Sequence, residues 1–329
     1  MKILMVHPHE VYSSSEPWTT RIVNLAKALI KKSHEVRIVF FPLRWQGEEE
    51  CFQKEGICFY PFCRRAGVLN IARNTKKMSG LADWADIVHF QKCFHYGSLP
   101  SIISAFLKNK PLHYDWDDWE EMIYYESADP PIKAIGMFLK TLETYIPQIA
   151  DTVSVSSRRL HNLARSFGIG NDRIFHVPVG ADLDKFNPGI SGERVRRAYG
   201  INSPLILYLG QLHGGQYVRL FIDAAKIILD RGIMVNFMIV GDGSRAQELK
   251  QYAKGRNLDE KIIFTGAVDS GEVPEYIAAC DVAVACFEDN SATCCKSPLK
   301  IAEYLASGKP MVASKVGEVE SMVGEAGIL

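Results

Sequence analysis

Residues 114–121 read YDWDDWEE, five carboxylates and two indoles in eight positions. Three chemistries suit such a stretch. Asp115 and Asp117 form a D-x-D pair of hard oxygen ligands, the kind that clamps a divalent cation. Asp115, Asp117 and Asp118 are equally suited to hydrogen-bond the hydroxyls of a sugar or an acceptor, with Trp116 and Trp119 stacking on a ring or simply packing. A solvated turn is the third reading.

Two later stretches combine small residues with helix starts. IVGDGSRAQELK (239–250) reads as strand, Gly-Asp-Gly, then a helix with Ser244 in its first turn. Glycines such as Gly243 let backbone approach a ligand, and a helix N-terminus favours anions. CCKSPLKIAEYLASGKP (294–310) places Ser297 as an N-cap, Pro298 in the first turn, Glu303 inside the helix and Gly308 at its end. Amides at 297–300 would then hold a diphosphate, with Lys296 or Lys300 adding charge, and Glu303 would accept from a ribose diol. The plain alternative is an ordinary capped amphipathic helix with a solvated Glu303. His89 lies within a predicted strand and reads as a packed residue. His95 and Tyr96, just after that strand, are better placed to meet an acceptor, and His213 follows a glycine turn. Segment 61–77, PFCRRAGVLNIARNTKK, holds five basic residues and no acidic one. It suits an anionic membrane surface or a solvated face.

The elements that must position these residues alternate between short β-rich runs and helical patterns. KILMVH, EVRIVFF (35–41), DIVHFQ (86–91), PLHYD (111–115) and DTVSVSS (151–157) read as strands. Residues 18–32 carry a helical apolar stripe from Ile22 to Ile30. After the Pro/Gly/Asp-rich stretch 181–193, a second series follows: LILYLG (205–210), VNFMIVG (235–241), KIIFTG (261–266), DVAVACF (281–287) and PMVAS (310–314). Helices are expected over 218–231, 244–256 and 297–307. This rhythm predicts an α/β chain of two doubly wound parallel sheets, 1–183 and 184–329, with a site in a cleft at the carboxyl ends of the strands. The final GEAGIL reads as a turn into another strand with no closing helix, so the sequence is expected to be a fragment.

Composition removes some functions. Among 329 residues, Lys plus Arg equals Asp plus Glu at 38 each, so no global field draws the chain to nucleic acid. No apolar run is long enough to span a membrane, and the start lacks the features of a signal peptide. The eight cysteines form no C-x-x-C pair and read as reduced thiols in a cytoplasmic protein. Neither half opens with G-x-G-x-x-G after its first strand, which disfavours a dinucleotide-dependent oxidoreductase.

With these pieces in order, the sequence resembles the family 4 retaining glycosyltransferases, which have the GT-B architecture. The resemblance rests on ADTVSVSSRRLHNLARSFGIGNDRIFHVPVGADLDKF, LILYLGQL, FMIVGDGS, IIFTGAVDSGEVPEYIAACDVAVACF and SPLKIAEYLASGKPMVASKVGEVESMV, and it is strongest after residue 150. It implies two Rossmann-like sheets facing a cleft. It also implies transfer of a sugar from a UDP- or GDP-sugar to a glycan or lipid-linked acceptor, with no metal and no cofactor beyond that co-substrate. By resemblance Glu303 binds the donor ribose, the amides of Ser297, Pro298 and Leu299 hold the diphosphate, the Thr265–Val268 loop meets the base, and Gly210 and Gly243 line the donor side. Asp117, Gln211, Gln216 and Lys300 are the expected catalytic group. Ser14, Ser15, His95, Asp115 and Asp118 are expected around the sugar and acceptor.

The departures from the family pattern are specific. Cys295 stands where the first of two glutamates is usual, and Gln211 and Gln216 replace a phosphate-binding Arg and Lys. Ser14 and Ser15 replace glycines, and Asp117-Asp118 replaces a His-Asp pair. A charge-assisted hydrogen bond contributes roughly 1.5–3 kcal/mol against about 1 for a neutral one, so the two glutamines weaken stabilisation of the leaving group. Lys296, Lys300 and Lys315 are the nearby substitutes. The alternative expectation is a weak or inactive relative that acts as a binding or regulatory partner. A single-domain transferase using the D-x-D pair with Mn²⁺ or Mg²⁺ is a further one. The membrane-facing reading of 61–77 places the protein in the cytoplasm, at the inner face of a membrane.

Overall fold

The computed structural model describes residues 1–13, 19–45, 50–128, 130–213 and 216–329, with only the backbone of Gln216. The expected Ser14 and Ser15 and the side chain of Gln216 lie outside the described residues. The chain divides into two compact units, Met1–Pro178 and Val179–Leu329. The division falls just before the expected one at 183/184.

The first unit is built on β1 (Lys2–Val6), β2 (Glu35–Phe40), β3 (Phe52–Lys54), β4 (Ile57–Pro61), β5 (Ile87–Gln91), β6 (Leu112–Trp116), β7 (Thr152–Val155) and β8 (Ile174–His176). They form one sheet in the order β3-β4-β2-β1-β5-β6-β7-β8. Every neighbouring pair is parallel except β3 and β4. Strand order reverses at β1, whose successors lie on opposite sides, and the space above such a switch point is where ligands of open α/β sheets bind. Helix Thr20–Lys31 covers Ile3, Met5, Val36 and Ile38 with its Ile22, Val23 and Ala26 face. Continuous apolar strands such as KILMV follow from burial on both faces.

The second unit contains β9 (Leu205–Leu209), β10 (Asn236–Val240), β11 (Ile262–Gly266), β12 (Val282–Ala285), β13 (Met311–Ala313) and β14 (Gly327–Ile328). All are parallel in the order β11-β10-β9-β12-β13-β14, so here the switch point is at β9. Leu205 and Leu207 of β9 enter one core cluster and Tyr208 the other, which fixes the strand between two helical layers. The expected strands are all present, each within a residue or two of its predicted ends. The expected helices over 218–231, 244–256 and 297–307 are Gln216–Asp230, Ala246–Lys254 and Leu299–Ala306.

Three strands were not anticipated, β3, β4 and β8, while β14 is the further strand expected within GEAGIL. The β3–β4 hairpin turns through Glu55 and Gly56, both at positive φ, and β4 alternates buried and half-buried residues. That Glu-Gly pair between alternating residues was a readable hairpin signal. β8 has three residues, too few for a periodicity to register.

One buried ion pair ties the first unit together across its sheet. Arg21 Nε and Nη2 donate to Asp115 Oδ2 and Oδ1 at 2.8 and 2.7 Å, and Ser154 Oγ donates to Oδ1 at 2.6 Å. Asp115 has no exposed surface. Burial acts to raise its carboxyl, but the Arg21 guanidinium outweighs that and holds it well below the usual carboxylate range. The depressed pKa contributes stability above the unfolded value of about 4, which is lost as pH falls below it. Replacing Arg21 by Leu leaves an uncompensated buried charge and should cost about 3–5 kcal/mol at pH 7 by urea unfolding. The difference from wild type should narrow below pH 4, where Asp115 can take up a proton; an equal difference at both pH values would contradict this account.

Candidate functional site

In the second unit three adjacent strands, β9, β10 and β11, end at glycines: Gly210, Gly241 and Gly266, all at positive φ. The loops beyond them lie directly on one another. Gly210 N–H donates to Val240 O at 2.9 Å, Gly241 N–H to Gly266 O at 3.0 Å and Leu212 N–H to Asp242 O at 2.9 Å. A Cβ on Gly241 would sit 2.0 Å from Gly210 O, so no other residue fits there. Gly243 is similarly pressed on the Leu212 backbone. Ser244 N–H donates to His213 Nδ1 at 3.1 Å, which in a neutral ring leaves the proton on Nε2. Thus the loops after β9 and β10 are bound into one surface, and His213, expected to contact a ligand, also holds them together.

Against this surface comes the helix Leu299–Ala306. Its start differs from expectation. Pro298, not Ser297, is the N-cap residue, and no side chain caps it. Ser297 Oγ instead accepts from Val179 N–H at 3.0 Å and meets Met322 Sδ at 3.5 Å. Proline has no N–H, so Pro298 cannot supply the amide once expected of it. The donors left are the N–H groups of Leu299 and Lys300, since that of Ile301 is bonded to Pro298 O. The far end closes as anticipated: Gly308 N–H donates to Leu305 O and Lys309 N–H to Tyr304 O, a Schellman pair with Gly308 at φ +65.

Lys300 is the feature that makes this helix start chemically distinct. Its ammonium lies over the Tyr208 ring, 4.3 Å from the centroid, and 5.6 Å from that of Phe287. A Cβ on Gly210 would be 2.6 Å from Nζ. Among the described residues it has neither a hydrogen-bond partner nor an ion-pair partner. Burial lowers its pKa to about 8, partly offset by Cys286 and Glu303. Glu303, one turn further on, is buried, and burial raises it to about 7 against the pull of Lys300. A cation, two open amides and a carboxyl therefore share one helix face. Together they suit an anionic group at the helix start with a hydroxyl-bearing group beside it.

The other expected donor residues are distributed around this start. Gln211 is exposed, Val268 packs half-buried on the core, and Lys296 is half-buried. Lys315 is ion-paired with Glu320 at 2.7 Å and is not a spare cation. Cys295 is fully buried. A groove of about 630 Å³ in the same unit is lined by Lys185, Glu193, Arg194, Arg197 and Glu275, but Arg194 is tied to Glu272 and Glu275. It contains none of the donor residues.

In the first unit YDWDDWEE runs from β6 into a turn and the helix Glu120–Ser127. Asp115, expected at the sugar, is committed to Arg21. Trp116 is buried between Tyr114 and Phe167, so it packs and does not stack on a ligand. Asp118 and Glu120 pair with the buried Lys92 at 2.8 and 2.6 Å. Asp117 Oδ2 accepts from Gln91 at 2.8 Å. Glu143, which sequence reasoning missed, is buried and accepts from Trp116 Nε1, Glu120 N–H and Glu121 N–H, capping the helix from outside. No sequence signal marks it, because it arrives from the distant helix Lys133–Ile149. His95 opens the helix His95–Leu107, half-buried with its ring edge against Phe138 at 5.6 Å. His89 is half-buried in β5, and its desolvation, with His113 beside it, lowers it to about 3. Among the described residues no group of His, Cys, Asp and Glu is arranged to hold a metal.

Residues 203–329 match the family model Glycosyl transferases group 1. An alpha-monoglucosyldiacylglycerol synthase from Streptococcus pneumoniae is 26% identical over 234 residues, 69% of this chain and 51% of that protein. A UDP-Gal:alpha-D-GlcNAc-diphosphoundecaprenol alpha-1,3-galactosyltransferase from Escherichia coli is 30% identical over 152 residues, 44% of this chain and 37% of that one. The chain thus spans about half or less of the length of these curated relatives. Among solved structures, sucrose-phosphate synthase from Thermosynechococcus elongatus superposes with a TM-score of 0.74 at 16% identity, covering 100% of this chain and 85% of that one. Anabaena HepE in complex with UDP and glucose superposes at 0.70 and 17% identity, covering 98% and 82%. The fold is that of the GT-B glycosyltransferases.

The site makes a prediction that needs no substrate. Lys300 is charged below its pKa and neutral above it, so pyrophosphate binding should weaken by up to roughly tenfold between pH 7 and pH 9. In Lys300→Met the affinity should be low and this pH dependence absent. Calorimetry across that range checks both, and an unchanged profile in the variant would remove Lys300 from the site.

Proposed function

We propose that this chain, whose C-terminal unit matches the Glycosyl transferases group 1 family and whose fold is GT-B, is a retaining glycosyltransferase. It moves a sugar from a UDP- or GDP-sugar to a hydroxyl of a glycan or lipid-linked acceptor. The observation that carries the reading is Lys300, a desolvated cation with no ion-pair partner among the described residues, at a helix start with open amides and with Glu303 a turn away. The names of the relatives support a nucleotide-sugar donor, and the HepE structure holds UDP.

Derived from these groups, the reaction proceeds as follows. Glu303 accepts from the ribose hydroxyls, and the Leu299 and Lys300 amides with the Lys300 ammonium take the diphosphate. As the bond from the anomeric carbon to the phosphate oxygen breaks, negative charge grows on that oxygen, where the fixed donors stabilise it more than they stabilise the intact donor. The acceptor hydroxyl oxygen bonds to the anomeric carbon on the face the phosphate leaves, and the departing phosphate takes that hydroxyl's proton, which preserves the anomeric configuration and needs no dedicated protein base. Asp117 orients sugar hydroxyls. Gln211 and Gln216 donate neutral hydrogen bonds where relatives place cations, so more of the leaving-group charge rests on Lys300. No metal is needed in this scheme, because cation and dipole occupy its place.

The basic segment 61–77 is proposed to touch a membrane from the cytoplasmic side. Helix Val68–Trp84 begins with Val68 and Leu69 largely exposed, beside exposed Arg65, Arg73, Lys76 and Lys77. Among the described residues no helix is long and apolar enough to cross a membrane.

Two experiments test this. UDP-glucose and GDP-mannose are offered separately, with and without EDTA, and nucleotide release is measured. One should be turned over without metal, and Lys300→Met should slow it by about ten- to a hundredfold, the effect of losing one charge-assisted contact. Gln211→Arg with Gln216→Lys should raise the rate; turnover seen only in that double variant would mean that the natural chain is inactive. Separately, sedimentation with phosphatidylglycerol vesicles should capture the chain and lose it in Arg73→Glu/Lys76→Glu, since each basic residue adds about 1 kcal/mol near the surface. Equal capture of both proteins would rule out a role for this segment.

A further inference from the structure

Around the switch point of the first sheet, three side chains join the ends of β1, β5 and β6. His7 Nδ1 lies 2.7 Å from Gln91 Oε1, and Gln91 Nε2 donates to Asp117 Oδ2 at 2.8 Å. The amide of Gln91 is thereby fixed in one orientation: its oxygen faces the imidazole and its NH₂ faces the carboxylate. The next residue, Lys92, is a non-glycine at φ +63, a conformation that costs of order 1–3 kcal/mol and persists only when surrounding contacts hold it. Those contacts are its buried ammonium, 3.3 Å from Asp117 Oδ1, 2.8 Å from Asp118 Oδ2 and 2.6 Å from Glu120 Oε1. Asp117 Oδ1 is itself inaccessible and takes no hydrogen bond, so its interaction with Lys92 is one of charge.

We propose that Gln91 and Lys92 are positioning residues for Asp117, holding its carboxylate in one rotation, with a cation beside it that favours its ionised form, to accept a hydrogen bond from a sugar hydroxyl. The sugar in that statement rests on the transferase reading above; the control of Asp117 does not. An ionised carboxylate binds a hydroxyl about twice as strongly as a neutral acceptor, and a fixed rotation aims the remaining lone pairs. Neither property is intrinsic to this site. Burial, with Asp118 and Asp115 adding to it, raises the Asp117 carboxyl to about 7, against the opposing pull of Lys92 and, more weakly, Arg21. The groups facing Asp117 are therefore Gln91 at the end of β5 and Lys92 just after it, Tyr114 and Asp115 of β6, Asp118 and Glu120 after β6, Arg21 from the helix Thr20–Lys31, and His7, just after β1, through Gln91. With Arg21 engaged by Asp115, Lys92 is the cation that limits how far burial raises Asp117.

The test uses the full chain labelled with ¹³C-aspartate, the Asp117 carboxyl signal being assigned by its loss in Asp117→Asn. Its titration is followed from pH 4 to 11 in wild type, Lys92→Met, Lys92→Arg and Gln91→Met. The midpoint should rise by roughly one to three pH units in Lys92→Met, as expected for a carboxylate losing its neighbouring cation, and be restored in Lys92→Arg. Gln91→Met should raise it less. Turnover of UDP-glucose or GDP-mannose should lose activity on the acid side, and that limb should follow the NMR midpoint in each variant. Midpoints that stay in place in Lys92→Met and Gln91→Met overturn the proposal. So does an acid limb that ignores a midpoint that has moved, although turnover itself would leave the transferase reading standing. If Lys92→Met does not fold by circular dichroism, Gln91→Met and Lys92→Arg decide through the same two curves. No turnover by wild type of either donor would sink the transferase reading, and the midpoints would still decide whether Lys92 and Gln91 govern Asp117.

Discussion

A charge taken out of water at the end of a parallel strand must find an opposite charge close by, or it shifts its pKa or waits for a ligand. The two units meet this constraint in opposite ways. In the first, Arg21 is closed onto Asp115, and Lys92 is closed onto three carboxylates. In the second, Lys300 lies against the faces of two aromatic rings with no ion-pair partner among the described residues, and burial lowers its pKa to about 8. The paired cations hold backbone in place; the unpaired one is available to an anion.

What allows Lys300 to stand there is the close contact of the loops after β9, β10 and β11. Gly241 leaves no Cβ against Gly210 O, Gly210 leaves room for the Lys300 ammonium, and the backbone groups of the loops bond to one another. The result is a bonded loop surface beside which an ammonium and two amides are presented. Preorganised donors of this kind stabilise developing charge without reorganising at the moment of reaction. In the first unit the corresponding bonds come from side chains. The acidic turn after β6 is gripped by Lys92 on one side and by Glu143 on the other.

The carboxylates of YDWDDWEE show how far sequence reading could go. Their density marked a place where charge matters, and the strand before them placed that charge at the carboxyl end of the first sheet. Which carboxylate is spoken for depended on residues far away in the chain: Arg21 takes Asp115, Lys92 takes Asp118 and Glu120, and Gln91 steadies Asp117. Trp116, an equal candidate for stacking on a sugar, is used up in the core. At the helix Leu299–Ala306 the opposite happened. Residue order located the helix start to within two positions, but the role of Ser297 changed because Val179, remote in sequence, claimed its hydroxyl.

The sequence by itself determined what depends on neighbours along the chain. It specified alternating strands and helices, two parallel sheets, glycines at strand ends, a helix that starts near Ser297 and stops at Gly308, and the list of charged groups available. These are local properties, set by side-chain periodicity and by backbone conformations that only certain residues adopt. Tertiary structure alone decided the pairing of those charges and hence their chemistry. Whether a buried lysine becomes a structural clamp, as Lys92 does, or stays open to a ligand, as Lys300 does, depends on which carboxylates the fold brings within a few ångströms, and Coulomb interactions at that range carry no trace in residue order.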